Sequence, residues 1–207
     1  LCFAFIPSVF AGAWPEFRGP GGMGHAEVKN IPAEFGENKN VRWKTGIPGR
    51  GWSSPVIEGD QIWMTTAFET EASEADKVER LKANTGRMPV TVLSEVTLHA
   101  VCVDKTSGKI LHNIRLLTVV NPQWVHQMNS YASPTPILQD GTLFAHFGVY
   151  GTACLDTRSG RIRWTNQEIK LMHENGPGSS PVLWQDKLIF HCDGSDVQFI
   201  TALDAAT

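Results

Sequence analysis

The chain has 207 residues, of which 42% are hydrophobic, and its formal net charge is -3 at pH 7. This apolar fraction is typical of a packed globular core, and the small negative charge excludes a basic field that would hold nucleic acid or an anionic membrane. The 19 glycines and 12 prolines favour a β protein with many tight turns.

The first 13 residues have the pattern of the end of a secretory signal. Residues 1–10 are almost wholly apolar, and Ala11-Gly12-Ala13 is a small-x-small sequence of the cleavage-site type. We interpret residues 1–13 as a signal-peptide remnant and expect an exported protein of the periplasm or cell envelope. A buried first strand is the alternative. Because the apolar run is too short to cross a bilayer, we expect no transmembrane span in the mature chain.

Three segments align with one another without a gap, namely 55–66, 136–147 and 181–192. Each begins with Pro after Ser or Thr, continues with two apolar residues and a turn containing Asp, and ends in a second apolar run. Runs of adjacent apolar residues indicate strands that are buried on both faces between stacked sheets. Each segment therefore predicts two short paired strands.

A second motif follows each of these segments, CVDKTSG at 102–108, CLDTRSG at 154–160 and ALDAAT at 202–207. Its aspartate can accept hydrogen bonds from N–H groups of the turn, and its glycine supplies a positive φ. We expect the positions that the repeats share in this motif to make turns rather than to catalyse a reaction. These residues are Asp104, Gly108, Asp156, Gly160 and Asp204.

The repeat period of about 45 to 50 residues is the size of one four-stranded propeller blade. The fold prediction is therefore all-β, a β-propeller of four-stranded antiparallel blades. The predicted units are 43–112, with an insert at 68–96 that includes a short helix at 72–81, then 113–164 and a truncated 165–207. Closed rings need four to eight blades. With about three blades, residues 14–207 are predicted to form an incomplete ring, and the chain is predicted to be a fragment of a longer protein.

Cysteines and histidines recur at equivalent repeat positions. Cys102 and Cys154 correspond to Ala202, which favours buried free thiols, and a disulfide between the two cysteines is the alternative. His146 and His191 are also equivalent, and we expect neighbouring blades to hold them apart in a structural role. No zinc-type spacing occurs, so no metal site is predicted.

These motifs resemble the PQQ-like β-propeller repeat of quinoprotein alcohol dehydrogenases and of the outer-membrane assembly factor BamB. The opening WPEFRGP at 14–20 and the sequence GRGWSSP at 49–55 are similar to those of exported PQQ-like repeat proteins. The resemblance implies that the aromatic residue closing each turn packs on the neighbouring blade. Trp164 matches this position and Trp43 ends a preceding repeat, whereas His112 departs from the pattern.

Polar residues concentrate in the three segments that lead into the Ser/Thr-Pro strands, which we expect to be innermost. The segments are 50–54, 126–134 and 173–180. Loops that enter the innermost strands often line the functional face of a propeller. The candidate site residues are Arg50, Trp52, Asn129, Tyr131, Glu174 and Asn175.

The resemblance implies two functions. In a PQQ- and Ca²⁺-dependent oxidoreductase of alcohols or sugars, Trp52 would stack on the quinone and Arg50 would pair with its carboxylates. Glu174 with Asn129 or Asn175 would supply oxygen ligands to Ca²⁺. The segments contain no aspartate as a base, and no vicinal cysteine pair occurs. We therefore favour a non-catalytic binding or scaffold module that contacts a protein or cell-envelope partner, and we assign no catalytic residue.

Overall fold

The computed structural model describes residues 12–26, 28 and 31–207. The predicted signal remnant therefore lies, up to residue 11, outside the described residues. The first elements in chain order are a 3₁₀ turn (Pro20–Gly22), β1 (Val56–Glu58), β2 (Gln61–Glu71), helix α1 (Glu74–Leu81), β3 (Val90–Thr91), β4 (Leu93–Asp104), β5 (Ile110–Val120) and β6 (Val125–His126). Strands β1, β2, β4 and β5 pair in that order into an antiparallel sheet, which we call blade 1.

Two further sheets follow the same plan. Blade 2 contains β7 (Ile137–Gln139), β8 (Thr142–His146), β9 (Thr152–Asp156) and β10 (Arg161–Asn166), with a 3₁₀ turn at Gly148–Tyr150 between its middle strands. Blade 3 contains β11 (Val182–Trp184), β12 (Lys187–Asp193) and β13 (Gln198–Asp204). Each strand pairs antiparallel with the next strand of its blade.

The blades stack face to face. One core cluster joins blades 1 and 2 and includes Trp63, Leu98 and Leu143, all fully buried. A second cluster joins blades 2 and 3 through Leu188 and Phe190. The first strands of blades 1 and 2, β1 and β7, lie at the edges that approach each other. The chain is thus an all-β protein of propeller type, and the described residues form about three blades without a closed ring.

The predicted insert at 68–96 is partly blade. Strand β2 continues to Glu71 and β4 begins at Leu93, because their ladder continues beyond the length of the other repeats, for example from Thr65 opposite Ala100 to Glu69 opposite Val96. Helix α1 lies outside the sheet and buries none of its residues. It begins after Ser73, whose hydroxyl accepts the N–H of Asp76.

The segment after residue 12 joins the inner edges of two blades, which the sequence did not predict. Trp14 exchanges two backbone hydrogen bonds of 2.8 Å with Ile57 of β1. The next carbonyl, of Pro15, accepts the N–H of Leu138 in β7 at 2.8 Å. The Trp14 ring lies against Gly19, where an added Cβ would come within 2.5 Å of it. The WPEFRGP motif therefore closes on itself beside β1.

The cysteines in the described part of the chain are free. Cys102 and Cys154 lie buried in the middle of their blades, and Cys192 is buried in blade 3. Burial raises the pKa of the Cys102 and Cys154 thiols to about 11, so both remain protonated and unreactive at neutral pH.

Candidate functional site

The three polar segments are joined by hydrogen bonds, and together we call them the loop face, residues 50–54, 126–134 and 173–180. Backbone bonds join the first two, since Trp52 donates its N–H to the carbonyl of Ala132 at 3.0 Å. Asn129 joins the second and third by donating to the carbonyl of Asn175 at 2.8 Å.

Hydrogen bonds between the repeats explain why Ser or Thr precedes each repeated proline. The N–H of Ser54 donates to the hydroxyl of Thr135 at 3.0 Å, and the N–H of Thr135 donates to the hydroxyl of Ser180 at 3.0 Å. Each hydroxyl thus satisfies a backbone donor of the preceding repeat. The aligned Ser/Thr-Pro pairs are the sequence signal of this ladder between blades.

Arg50 is held between two loops and a strand. Its Nη2 donates to the carbonyl of Gln127, and its Nη1 lies 3.8 Å from Oε2 of Glu69 in β2. Burial raises the pKa of Glu69, and the Arg50 charge opposes that rise. The guanidinium therefore links the loop before blade 1 to the loop before blade 2.

The side-chain amide of Asn129 makes its hydrogen bonds to other residues of the loop face. Its Nδ2 donates to the carbonyls of Asn175 and Pro177, at 2.8 and 3.3 Å. Its Oδ1 accepts from the N–H of Ser130 at 2.8 Å and from the hydroxyl of Ser133 at 2.6 Å. All these partners are protein groups, so the amide crosslinks the loops that lead into blades 2 and 3.

Replacing Asn129 with Ala is expected to lower the free energy of unfolding by about 2 kcal/mol, because the four hydrogen bonds of its amide are lost and the carbonyl of Pro177 keeps no partner among the described residues. Asn175 is the matched control, since only its backbone carbonyl is used and its side chain makes no hydrogen bond to the described residues. Asn175→Ala should cost less than about 0.5 kcal/mol. Urea unfolding of both variants measures the difference, and equal losses would contradict the crosslinking role.

Tyr131 lies in the core rather than on the open face. It is fully buried, its hydroxyl donates to the carbonyl of Gln123 at 3.0 Å, and its ring packs against Tyr150 with centroids 5.0 Å apart. Burial raises the pKa of the Tyr131 hydroxyl well above its usual value. The polar sequence around Tyr131 gave no signal for this burial.

The remaining candidates are exposed. Trp52 is 55% exposed, and Met128 and Met172 on or beside the loop face are 74% and 56% exposed. Glu174 and Asn175 are exposed as well, and the side chains of both lack hydrogen bonds within the described part of the chain. The face therefore combines satisfied polar loops with protruding apolar side chains.

The repeated aspartates make turns. Asp104 Oδ1 accepts the N–H and the hydroxyl of Ser107, both at 2.6 Å, and these bonds hold the pKa of Asp104 below its usual value. Asp156 accepts from Arg163 and from the same two groups of Ser159, which lowers its pKa further. Asp204 accepts the N–H of Ala206 at 2.9 Å. Gly108 and Gly160 have φ values of 72° and 71°.

Two tryptophans pack on the turn of the following blade. Trp164 donates its indole N–H to the carbonyl of Ala205 at 3.2 Å, and Trp43 donates to that of Lys105 at 3.1 Å. Both carbonyls directly follow the turn aspartate. His112, which departs from the pattern, stacks instead on Trp63 of its own blade with centroids 5.9 Å apart.

A half-open cavity of about 520 Å³ lies between blades 2 and 3 at the edge of the loop face. Glu174 and Asn175 belong to its wall, whereas Arg50, Trp52, Asn129 and Tyr131 do not. The candidate cofactor residues are thus divided among loop junctions, the core, the open face and this cavity. Residues 173–179 of the wall belong to the third segment predicted from the sequence. The contribution of His146 and His191 to the same wall was not predicted, because it depends on the stacking of blades 2 and 3.

Three histidines line the cavity. His146 and His191 both belong to its wall, although we expected adjacent blades to keep them apart. His146 is 1% exposed, its Nδ1 lies 2.9 Å from the hydroxyl oxygen of Thr152, and its ring stacks on Phe190 with centroids 3.9 Å apart. Burial lowers the pKa of His146 to about 3. The hydroxyl oxygen of Ser179 lies 2.9 Å from Nδ1 of His191.

The third histidine has a defined tautomer. The hydroxyl of Tyr150 donates to the carbonyl of Gln123 at 2.9 Å, so it must accept from Nε2–H of His173 at 2.7 Å. The Nδ1 atom of His173 is then a buried acceptor without a partner among the described residues. Burial lowers the pKa of His173 to about 4, so the ring is neutral at physiological pH.

The described residues contain no group of three or more His, Cys, Asp and Glu side chains arranged to hold a metal ion. No helix within 12–26, 28 and 31–207 is long and apolar enough to cross a membrane.

Among the comparisons with known proteins, similarity was found to solved structures. No family model matches the chain, and no curated protein matches it. Among solved structures 44 chains match. One of them is the crystal structure of BamB from Moraxella catarrhalis, at 15% sequence identity and a TM-score of 0.36, over 80% of this chain and 49% of that one. The chain therefore spans about half the length of that protein.

Proposed function

We propose that the chain is a non-catalytic binding module of an exported protein of the cell envelope, and that it contacts a protein partner through the loop face. The observation that carries this proposal is that polar side chains of the loop face bind neighbouring loops, whereas apolar side chains on or beside the face are exposed. The side chains of Arg50 and Asn129 donate to loop carbonyls, while Trp52, Met128 and Met172 remain exposed. Tryptophan and methionine are enriched in the cores of protein interfaces.

The quinoprotein alternative fits these residues poorly. Arg50 already donates to the carbonyl of Gln127 and lies near the carboxylate of Glu69, so pairing with a cofactor carboxylate would compete with these contacts. Calcium needs six to eight oxygen ligands, and only Glu174 and Asn175 offer unengaged side-chain oxygens among the predicted ligands. These predicted cofactor residues therefore fit a PQQ–Ca²⁺ site poorly.

Site-specific photocrosslinking tests the proposed interface. A photoreactive phenylalanine derivative is placed at Trp52 or Met128 of the full chain, and the matched control is placed at Leu111 on the exposed outer strand β5. We expect one protein of the cell envelope to crosslink from 52 and 128 and not from 111. Equal yields at all three positions, or no crosslink from 52 and 128, would contradict the proposal.

A further inference from the structure

The cavity between blades 2 and 3 has a distinctive charge. Its wall includes the carboxylates of Glu174 and Asp193 and contains no Lys or Arg. Both acidic side chains are exposed and make neither a hydrogen bond nor an ion pair to the described residues. Carboxylates at the mouth of a low-dielectric cleft focus a negative potential inside it. The cavity therefore favours a cation.

The buried end of the cavity offers a separate indication of a ligand. His146 is almost wholly buried in the wall, and its Nε2 has no hydrogen-bond partner among the described residues. A hydroxyl can accept as well as donate, so Thr152 can hold the Nδ1–H tautomer. Nε2 then keeps a lone pair that a ligand N–H can satisfy. The low pKa of His146 keeps this ring neutral, so it does not repel a cation.

The rim of the cavity is open to a chain. At Gly178 an added Cβ would meet nothing within 4 Å, and no positive φ requires glycine there. Neither packing nor backbone strain explains this glycine, whereas its neighbour Gly176 has a φ of 102° and lies against Val125. The bare rim leaves room for a segment of polypeptide to pass.

We propose that this cavity binds a Lys or Arg side chain presented by an extended segment of the protein partner. The cation lies between Glu174 and Asp193, a donor of the side chain approaches His146 Nε2, and the flanking peptide crosses the rim at Gly178. A volume of about 520 Å³ accepts a side chain together with part of its backbone. This inference rests on the proposed partner-binding function and specifies the chemistry that the partner contributes.

Binding of short peptides to the full chain tests the inference. The probes are a heptapeptide with one central lysine among Gly and Ser, the same peptide with N-acetyl-lysine, and free butylammonium. We expect the lysine peptide to bind at least 10-fold more tightly than the other two, with an affinity that falls as salt is added. Equal binding of the acetylated peptide would overturn the role of charge. Equal binding of butylammonium would overturn the assignment to a polypeptide segment.

Matched variants locate the site. The double variant Glu174→Gln/Asp193→Asn and the rim variant Gly178→Val should each weaken binding of the lysine peptide at least 10-fold. Glu168→Gln, an exposed acidic residue outside the cavity wall, should leave the affinity within 2-fold. Unchanged affinity in the double variant would overturn the proposal. Crosslinking from Trp52 is measured in the chain that carries none of these substitutions, so a failure of the cavity is distinguishable from a failure of the loop face.

Discussion

Acidification from pH 7 to pH 4 is expected to lower the free energy of unfolding by several kcal/mol. The pKa of His146 is lowered from 6.5 to about 3 and that of His173 from 6.5 to about 4, in both cases by burial. The unfolded chain therefore binds more protons below pH 6.5, and folding loses stability as the pH falls towards the folded pKa values. Each imidazole accounts for about 3 kcal/mol at pH 4.

Other groups modify this profile in a known direction. Burial raises the pKa of Glu69 and Glu16, so protonation of these carboxyls offsets part of the loss. The turn aspartates have lowered pKa values, so their contribution is lost as the pH falls through the usual aspartate pKa and below it. Burial also lowers the pKa of His99, which adds to the loss in the same direction. The interval from pH 6.5 to 4.5 therefore reports mainly on these three histidines.

Urea unfolding across this interval measures the effect. His146→Gln should be less stable at pH 7, because it loses the stack on Phe190, but it should show a clearly smaller slope of stability against pH. Leu143→Ala, which removes a buried side chain of the same blade without a titrating group, should keep the full slope. A wild-type stability that is flat between pH 6.5 and 4.5 would contradict the buried neutral imidazoles.

Gly108→Ala is expected to lower the free energy of unfolding by about 3 kcal/mol. The left-handed backbone costs an L residue about 1 kcal/mol, and the new Cβ would come within 2.5 Å of the Trp43 ring. Displacing that ring adds about 2 kcal/mol of overpacking. The cost therefore reports the packing of Trp43 on the turn of blade 1.

Gly160 is the matched control, because it has the same position in the turn motif and nearly the same φ. An added Cβ there meets only Ile114 Cδ1, at 3.4 Å. Gly160→Ala should therefore cost about 1 kcal/mol. In Trp43→Ala the penalty of Gly108→Ala should shrink to that of Gly160→Ala, as a double-mutant cycle measures. Equal losses for the two glycines in the wild-type background would contradict the packing of Trp43.

Local chemistry made much of the fold predictable. The turn motif determines its own hydrogen bonds, since an aspartate such as Asp104 contacts a serine three residues away. The repeated Ser/Thr-Pro pairs begin strands with the expected pairing, because their apolar runs must be buried on both faces. Residues 68–71 were predicted to belong to the insert, but they continue strand β2. The polar residues 69–71 are as compatible with a loop as with the solvent-exposed end of a strand.

The candidate site was less predictable, because its geometry depends on contacts between blades. Arg50 and Asn129 were predicted as site residues because they are polar and lie in the loop segments. Only the folded chain shows that their side chains donate to loop carbonyls. Tyr131 was selected by its position in a polar loop, although its ring fills the core beside Tyr150. The shared cavity of His146 and His191 arises from the stacking of blades 2 and 3, which repeat spacing does not determine.

The central claim is that the polar residues of the loop face stabilise loops and leave the face free for a partner. The most direct measurement is a calorimetric titration of the full chain with PQQ in the presence of Ca²⁺, followed by an assay of dye-linked alcohol oxidation. We predict no saturable binding and no turnover. Tight, Ca²⁺-dependent binding of PQQ accompanied by turnover would contradict the claim.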